Sequence, residues 1–177
     1  MTDPEIVPAR TFSPDGIHLV RTFQMMNLTL SQMADQKASI LIGASFVVFS
    51  ISIGQVSKSD GFSVAIAVLG VSALTSAMLA VWAILPAIST KSGPGSNMLF
   101  FGNFTQIDEK TFADTIVNEL VTSERVYRLM LHDVYQNGQV LQHKKYRFIG
   151  YAYRVFLFGL VLTMLTLTIE KSGFFGV

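Results

Sequence analysis

Arg128, His132, Asp133, Tyr135 and Asn137 sit close together along the chain, and their types could do chemistry if a fold gathered them. A guanidinium offers a rigid fork of donors, a carboxylate only accepts, and a primary amide does both. Spacing limits what they can do. His132 and Asp133 are neighbours, and adjacent residues on a helix do not face each other, so a histidine base steadied by that acid is not expected. His132 and His143 would lie about 16 Å apart on one helix, too far to share a metal ion, and His18 is remote in sequence. The chain has no cysteine, which removes thiol nucleophiles, disulfides and cysteine metal sites. No phosphate-cradling glycine loop, zinc-protease helix or nucleophile elbow occurs. The expectation is no enzyme, no metal and no resident cofactor.

Two polar clusters remain. In the first, Arg128 is readily explained as part of a solvated helix face. Asp133 is not, because it lies beside an apolar stripe of Met130, Val134 and Leu141, where burial demands a partner. Asn27 and Gln32 are its plausible neighbours, and Gly138 would admit a backbone or a flat ligand. The second cluster is Asp35 and Lys37 with Lys144 and Lys145. It reads either as a brace, with Asp35 pairing to Lys144 or Lys145 while Lys37 reaches lipid phosphates, or as the inner end of a pocket or the mouth of a pore.

The elements that must position these residues belong to a membrane protein. Ala38 to Ser57 is an uncharged run of twenty residues, and thirty more lie between Asp60 and Lys91. About 20 apolar residues in a helix cross a bilayer. A third run, Val155 to Ile169, can be extended back to about Phe148 if Arg154 snorkels. The fold class is therefore all-α, with three transmembrane helices whose long members extend into a cytoplasmic helical stalk. Residues 1–12, with Pro4 and Pro8, read as a flexible arm, and 13–177 as a single helical membrane unit. Spans are expected at about 38–57, 62–85 and 148–169, and cytoplasmic helices at about 14–37, 108–121 and 123–147. No cleavable leader is expected, because charges precede the first apolar run.

Ser13 followed by Pro14 marks a helix start. A helix from there to Ser57 would be roughly 60 Å long. Val20, Phe23, Asn27, Leu30, Ala34 and Lys37 form a heptad-like stripe expected to face inward, with Asn27 as a polar residue in the seam. The last helix is expected to run unbroken to Glu170, placing Asn27 level with about Asn137 and Gly138. The second span carries small residues, including Gly70, that permit close contact and are expected to line contacts between copies. Lys58 is the one basic residue in the first link, against seven between spans two and three (Lys91, Lys110, Arg125, Arg128, Lys144, Lys145 and Arg147). That bias puts the N-terminus and residues 86–148 in the cytoplasm. A formal net charge of +1 gives no basic field for a nucleic acid polymer.

Four segments then point, in order, to a known family. The run Met33–Gly43 (MADQKASILIG) resembles the ADxKAS-I-L-G approach to the first span of the Pycsar effector transmembrane family. Asn97–Phe104 (NMLFFGNF), Leu131–Tyr135 (LHDVY) and Leu141–Tyr146 (LQHKKY) resemble it further along, so the likeness covers about residues 18–170. It implies an antiphage effector of the bacterial inner membrane. A partner cyclase would make cyclic CMP or cyclic UMP on infection, and the effector would respond by impairing the membrane, as a homo-oligomer in the lipid bilayer. No separate nucleotide-binding domain is present, so the signal would be received by the cytoplasmic helices or between copies. A cation for the phosphate and amides or a carboxylate for the pyrimidine edge make Asn27, Arg128, Asp133 and Asn137 the candidate ligand residues. Asp35, Lys37, Lys144 and Lys145 are the candidate membrane-interface or pore-mouth residues. The competing reading is a membrane-anchored scaffold that recruits a cytoplasmic partner.

Overall fold

The computed structural model describes residues 11–57, 63–86 and 97–172; most of the expected arm over 1–12 lies outside them. Every regular element among the described residues is helical: α1 Gly16–Val56, α2 Val64–Ile84, α3 Phe101–Phe104, α4 Glu109–Glu119, α5 Ser123–Val140 and α6 Arg147–Lys171. A π-helical segment, Leu141–Tyr146, joins α5 to α6. The expected unbroken last helix thus has a turn of wider hydrogen bonding in it, a local variation that concentrates at functional sites. Packing divides the chain into two compact units, one of Met1–Leu28 with Ala87–Gly138, the other of Thr29–Pro86 with Gln139–Val177. We refer to them as the polar unit and the span unit.

Three helical stretches are long and apolar enough to cross a membrane: α1, α2 and the stretch Ser123–Lys171. The span unit is built from them with its small residues inside. Ala34, Ala38 and Leu41 of α1 are buried with Ala80 and Ala83 of α2 and with Ile149 and Ala152 of α6. Large apolar side chains point outward, to the extent that Phe158 and Met164 are more than 70% exposed. In water such an arrangement would be inverted. In lipid it is the stable one, because apolar chains gain nothing by leaving the hydrocarbon and small residues let backbones approach.

That closeness is measurable at two glycines. A Cβ on Gly159 of α6 would run into the Ser72 side chain of α2, and one on Gly70 of α2 would sit 3.4 Å from the Ser52 Cβ of α1. Ala65, Gly70, Ala73, Ser76, Ala80 and Ala83 are all buried within the one chain. The expectation that this stripe lines contacts between copies is therefore corrected: packing of α2 against α1 and α6 uses it up. Polar bonds lock the same crossing. Ser76 Oγ donates to the Ala152 carbonyl at 2.9 Å, and Ser45 Oγ donates to Ser76 Oγ at 3.4 Å, so one hydroxyl pair ties all three spans. At the start of α2 the Glu170 carboxylate accepts from Ser63 Oγ at 3.0 Å and from the Ala65 amide at 3.2 Å, capping free donors of that helix from α6.

In the polar unit Asp108 caps α4 by accepting from the Thr111 amide at 3.1 Å. Bonding to the Thr111 side chain and backbone holds its carboxyl below the ordinary value. Phe12 packs against Tyr127 in a tilted pair with ring centroids 4.9 Å apart. Neither α4 nor α5 contributes a buried residue. The inward stripe expected on α1 is also corrected. Val20, Asn27 and Ala34 face inward, but Phe23 and Leu30 are exposed, and Gln24 turns inward in their place. On this helix the inner face is partly polar because its side chains hydrogen-bond, so apolarity does not mark the inside.

Gly159→Leu and Gly70→Leu are expected to destabilise the folded protein by about 1–3 kcal/mol each, the cost of overpacking a close contact. Gly43→Ala, whose Cβ would meet nothing within 4 Å, should leave thermal unfolding in detergent unchanged. Equal melting curves for Gly159→Leu and the parent would contradict the packing described.

Candidate functional site

Asp133 is the hub of the polar unit. Its Oδ1 accepts from Asn97 Nδ2 at 2.8 Å and from Asn137 Nδ2 at 2.9 Å, and its Oδ2 accepts from Gln24 Nε2 at 3.4 Å. Gln24 comes from α1, Asn97 from the turn before α3, and Asn137 from one turn further along α5. One turn of α1 beyond Gln24, Asn27 Nδ2 donates to the Val134 carbonyl at 2.9 Å. Asn27 is thus level with Val134, one helical turn before the expected Asn137 and Gly138.

Asn97 is almost fully buried, and both its ends are used. Its Oδ1 accepts from the Leu99 amide at 2.9 Å, and its carbonyl accepts from Asn103 Nδ2 at 3.0 Å. Two buried polar atoms of the polar unit have no partner, Asn103 Oδ1 and His132 Nε2. Such atoms lose water without a replacement bond, at a cost of roughly 1–3 kcal/mol each. They are the places in the unit where an incoming donor or acceptor has most to offer.

Of the sequence-derived ligand residues, the structure brings Asn27, Asp133 and Asn137 together and leaves Arg128 apart. The Arg128 side chain is 67% exposed and forks onto Glu124 Oε1 from Nε at 2.9 Å and from Nη2 at 2.6 Å. That is an i,i+4 pair on a solvated face. Gln32 is exposed as well. Gln24, Asn97, Asn103 and His132 were not among the expected ligand residues. The segment NMLFFGNF does single out Asn97 and Asn103. Nothing local singles out Gln24, because reading Phe23 into the seam hides it.

The second cluster resolves within the span unit. Lys145 Nζ lies 2.7 Å from both Asp35 carboxylate oxygens and 2.7 Å from Ser31 Oγ. Lys144 turns to α2, donating to the Leu85 carbonyl at 2.7 Å where that helix ends. Tyr146 OH donates to the Leu30 carbonyl at 3.2 Å. Three successive residues of the π-helical segment therefore reach the middle of α1 and the C-terminal end of α2. The Lys37 side chain is exposed, while its carbonyl accepts from Tyr153 OH at 3.3 Å. The pair is half-buried, with Lys145 18% and Asp35 45% exposed, and this geometry favours the bracing reading. Among the described residues no group of histidines and acids could hold a metal ion.

Asp133→Ala would leave three amide donors without their acceptor and should destabilise the polar unit by roughly 1–3 kcal/mol. Arg128→Ala should shift unfolding by less than about 1 kcal/mol. Thermal melts followed by circular dichroism check both. Asp35→Ala should cost an intermediate amount, between the values for exposed and buried pairs, and Asp35→Ala with Lys145→Met together should cost less than Asp35→Ala alone.

Comparison with known proteins adds one finding: a family model described as a Pycsar effector protein domain matches residues 18–170 of the chain. No curated protein and no solved structure matches it.

Proposed function

Because the chain belongs to the Pycsar effector family, we propose that it is a bacterial inner-membrane effector of antiphage defence. In this reading it impairs membrane integrity, as an oligomer, when cyclic CMP or cyclic UMP from a partner cyclase reaches it. The observation that carries the reading is the family match across the whole helical region together with three helices able to cross a membrane. The lysine and arginine bias of residues 86–148 supports a cytoplasmic polar unit and an outer C-terminus. A cytoplasmic polar unit would meet the nucleotide directly. Asn27, Asp133 and Asn137 would read the pyrimidine edge together with Asn97. Arg128, whose present bonds lie on a solvated face, would swing to the phosphate. No catalytic step is needed, because the response is a change of state in a bundle.

Three spans of one chain enclose no aqueous path of useful width, whereas several copies around a common axis do. That is the physical reason for including assembly in the proposal.

The test is dye leakage from liposomes holding the full chain, with cyclic CMP, cyclic UMP, cyclic AMP or no ligand. Leakage with one cyclic pyrimidine nucleotide and none with cyclic AMP is expected. Leakage that is the same in all four arms would overturn the proposal. Asp133→Asn keeps an acceptor in the network and should still insert and fold while losing at least ten-fold in nucleotide affinity by calorimetry. Normal affinity in that variant removes Asp133 from the ligand site and leaves the effector reading standing. For orientation, Ser57→Cys should react with a membrane-impermeant maleimide from outside, and Asp114→Cys only after the membrane is opened.

A further inference from the structure

Charge is sparse in the span unit, and two of its arginines stand without an acid. The carboxylates among its described residues are both committed: Asp35 takes Lys145, and Glu170 caps α2. Arg147 and Arg154, both exposed on α6, pair with no acid among the described residues. Tyr151 lies between them at spacings of four and three, so all three share one helix face. Arg147 Nε donates to Tyr151 OH at 3.2 Å, and the guanidinium carbon lies 5.8 Å from the centre of that ring. Phe148 meets the same ring edge-on at 6.3 Å. The bond to Tyr151 uses one of the five donors of the Arg147 guanidinium.

Depth makes Arg154 the more demanding of the two. Ser76 Oγ bonds the Ala152 carbonyl, so Arg154 lies within a turn of the level of Ser76. From Ser76 to Leu85, where α2 ends, is about 13 Å along a helix. A lipid-facing charge that far into a core about 30 Å thick is costly unless an anion meets it. Helical side chains lean back over the preceding turn, which directs the Arg154 guanidinium toward Tyr151 and the start of α6.

What meets this face can be argued from its continuation and its charge. Its next positions are Phe158, Val161 and Leu165, which are 73, 57 and 56% exposed. A face lining a water path would stay polar across the membrane, and this one turns apolar one turn beyond Arg154. A second copy brings no carboxylate to that depth, because residues 38–57, 61–90 and 155–169 are uncharged. Its own arginines would only repel these. A phospholipid offers both things that the face lacks: a phosphate, which guanidinium forks hold bidentately, and an acyl chain. A zwitterionic headgroup brings an ammonium that competes for its own phosphate, so a headgroup of net negative charge fits better.

We propose that Arg147, Tyr151 and Arg154 bind the phosphate of one net-negative phospholipid, whose acyl chain lies along Phe158, Val161 and Leu165. The site goes beyond the effector reading and does not rest on it.

The test is native mass spectrometry of the full chain in detergent. The titrants are phosphatidylglycerol, phosphatidylcholine and the soluble headgroup glycerophosphoglycerol. One phosphatidylglycerol per chain should be held at least ten-fold more tightly than either of the others. Arg147→Gln and Arg154→Gln should each weaken it at least ten-fold. Lys37→Gln and Lys171→Gln, which remove exposed cations elsewhere in the unit, should leave it unchanged. Equal losses in all four variants mean charge attraction without a site and overturn the proposal. Equal retention of the two lipids also overturns it, and is the result for a water-lined face or one covered by a second copy. Tight binding of the headgroup alone marks a soluble phosphate ligand and overturns it too. In lipid-free detergent Arg154→Gln should melt with the parent, and a lower melt assigns Arg154 a structural role instead. Added phosphatidylglycerol should raise the melting temperature of the parent and not of Arg154→Gln; an equal rise in both sinks the site.

Discussion

A bilayer gives apolar side chains no reason to leave the surface for the interior, and the span unit follows from that constraint. Its helices cohere because alanine, serine and glycine let backbones come close enough for dispersion and a few polar bonds to hold them. The Ser45, Ser76 and Ala152 contact is the clearest case, joining three helices at one point with every group buried. Glu170 satisfies the Ala65 amide at the start of α2, Lys144 takes the Leu85 carbonyl at its other end, and Lys145 pairs with Asp35 in the middle of α1. Each of these groups answers a backbone or side-chain atom that water would otherwise have to serve.

The polar unit is held together differently. A soluble helical unit normally hides leucine and phenylalanine. This one hides Asn97 and gathers amides around Asp133, while Phe23 and Met26 stay outside. Buried polar networks are specific, since each partner has a required direction, yet net stabilisation per bond is only about 0.5–1.5 kcal/mol. A unit held in this way is readily remodelled by anything that offers equivalent bonds.

The sequence makes the spans plain, because uncharged runs of bilayer length have few other uses. It also places Asp35 within reach of the lysine pair, since both sit where a long helix meets lipid. It misleads on α1, where the rule that apolar means inside selects Phe23 and Leu30 and passes over Gln24. It misleads again at Gly70, because small residues in a span invite a neighbour without saying whether that neighbour belongs to the same chain. The Asp133 partners Gln24 and Asn97 are 109 and 36 residues away. Helical periodicity carries no information at such separations. The π-helical segment has no compositional mark at all, although Lys144, Lys145 and Tyr146 within it all reach partners on other helices.

What a ligand could gain at the polar unit follows from the same bonds. The Asp133 carboxylate already accepts three amides, leaving one of its roughly four lone-pair sites, on Oδ2, for a further donor. His132 Nε2 and Asn103 Oδ1 have nothing to lose, and a group that reached either would recover the full cost of its burial. Both atoms are closed off from solvent. Movement of Asn97 removes a donor from Asp133 and the acceptor carbonyl from Asn103 together. A rearrangement of Asn97 would therefore loosen the hold of the 97–104 segment on α5, and a unit without an apolar core has little else to resist that change.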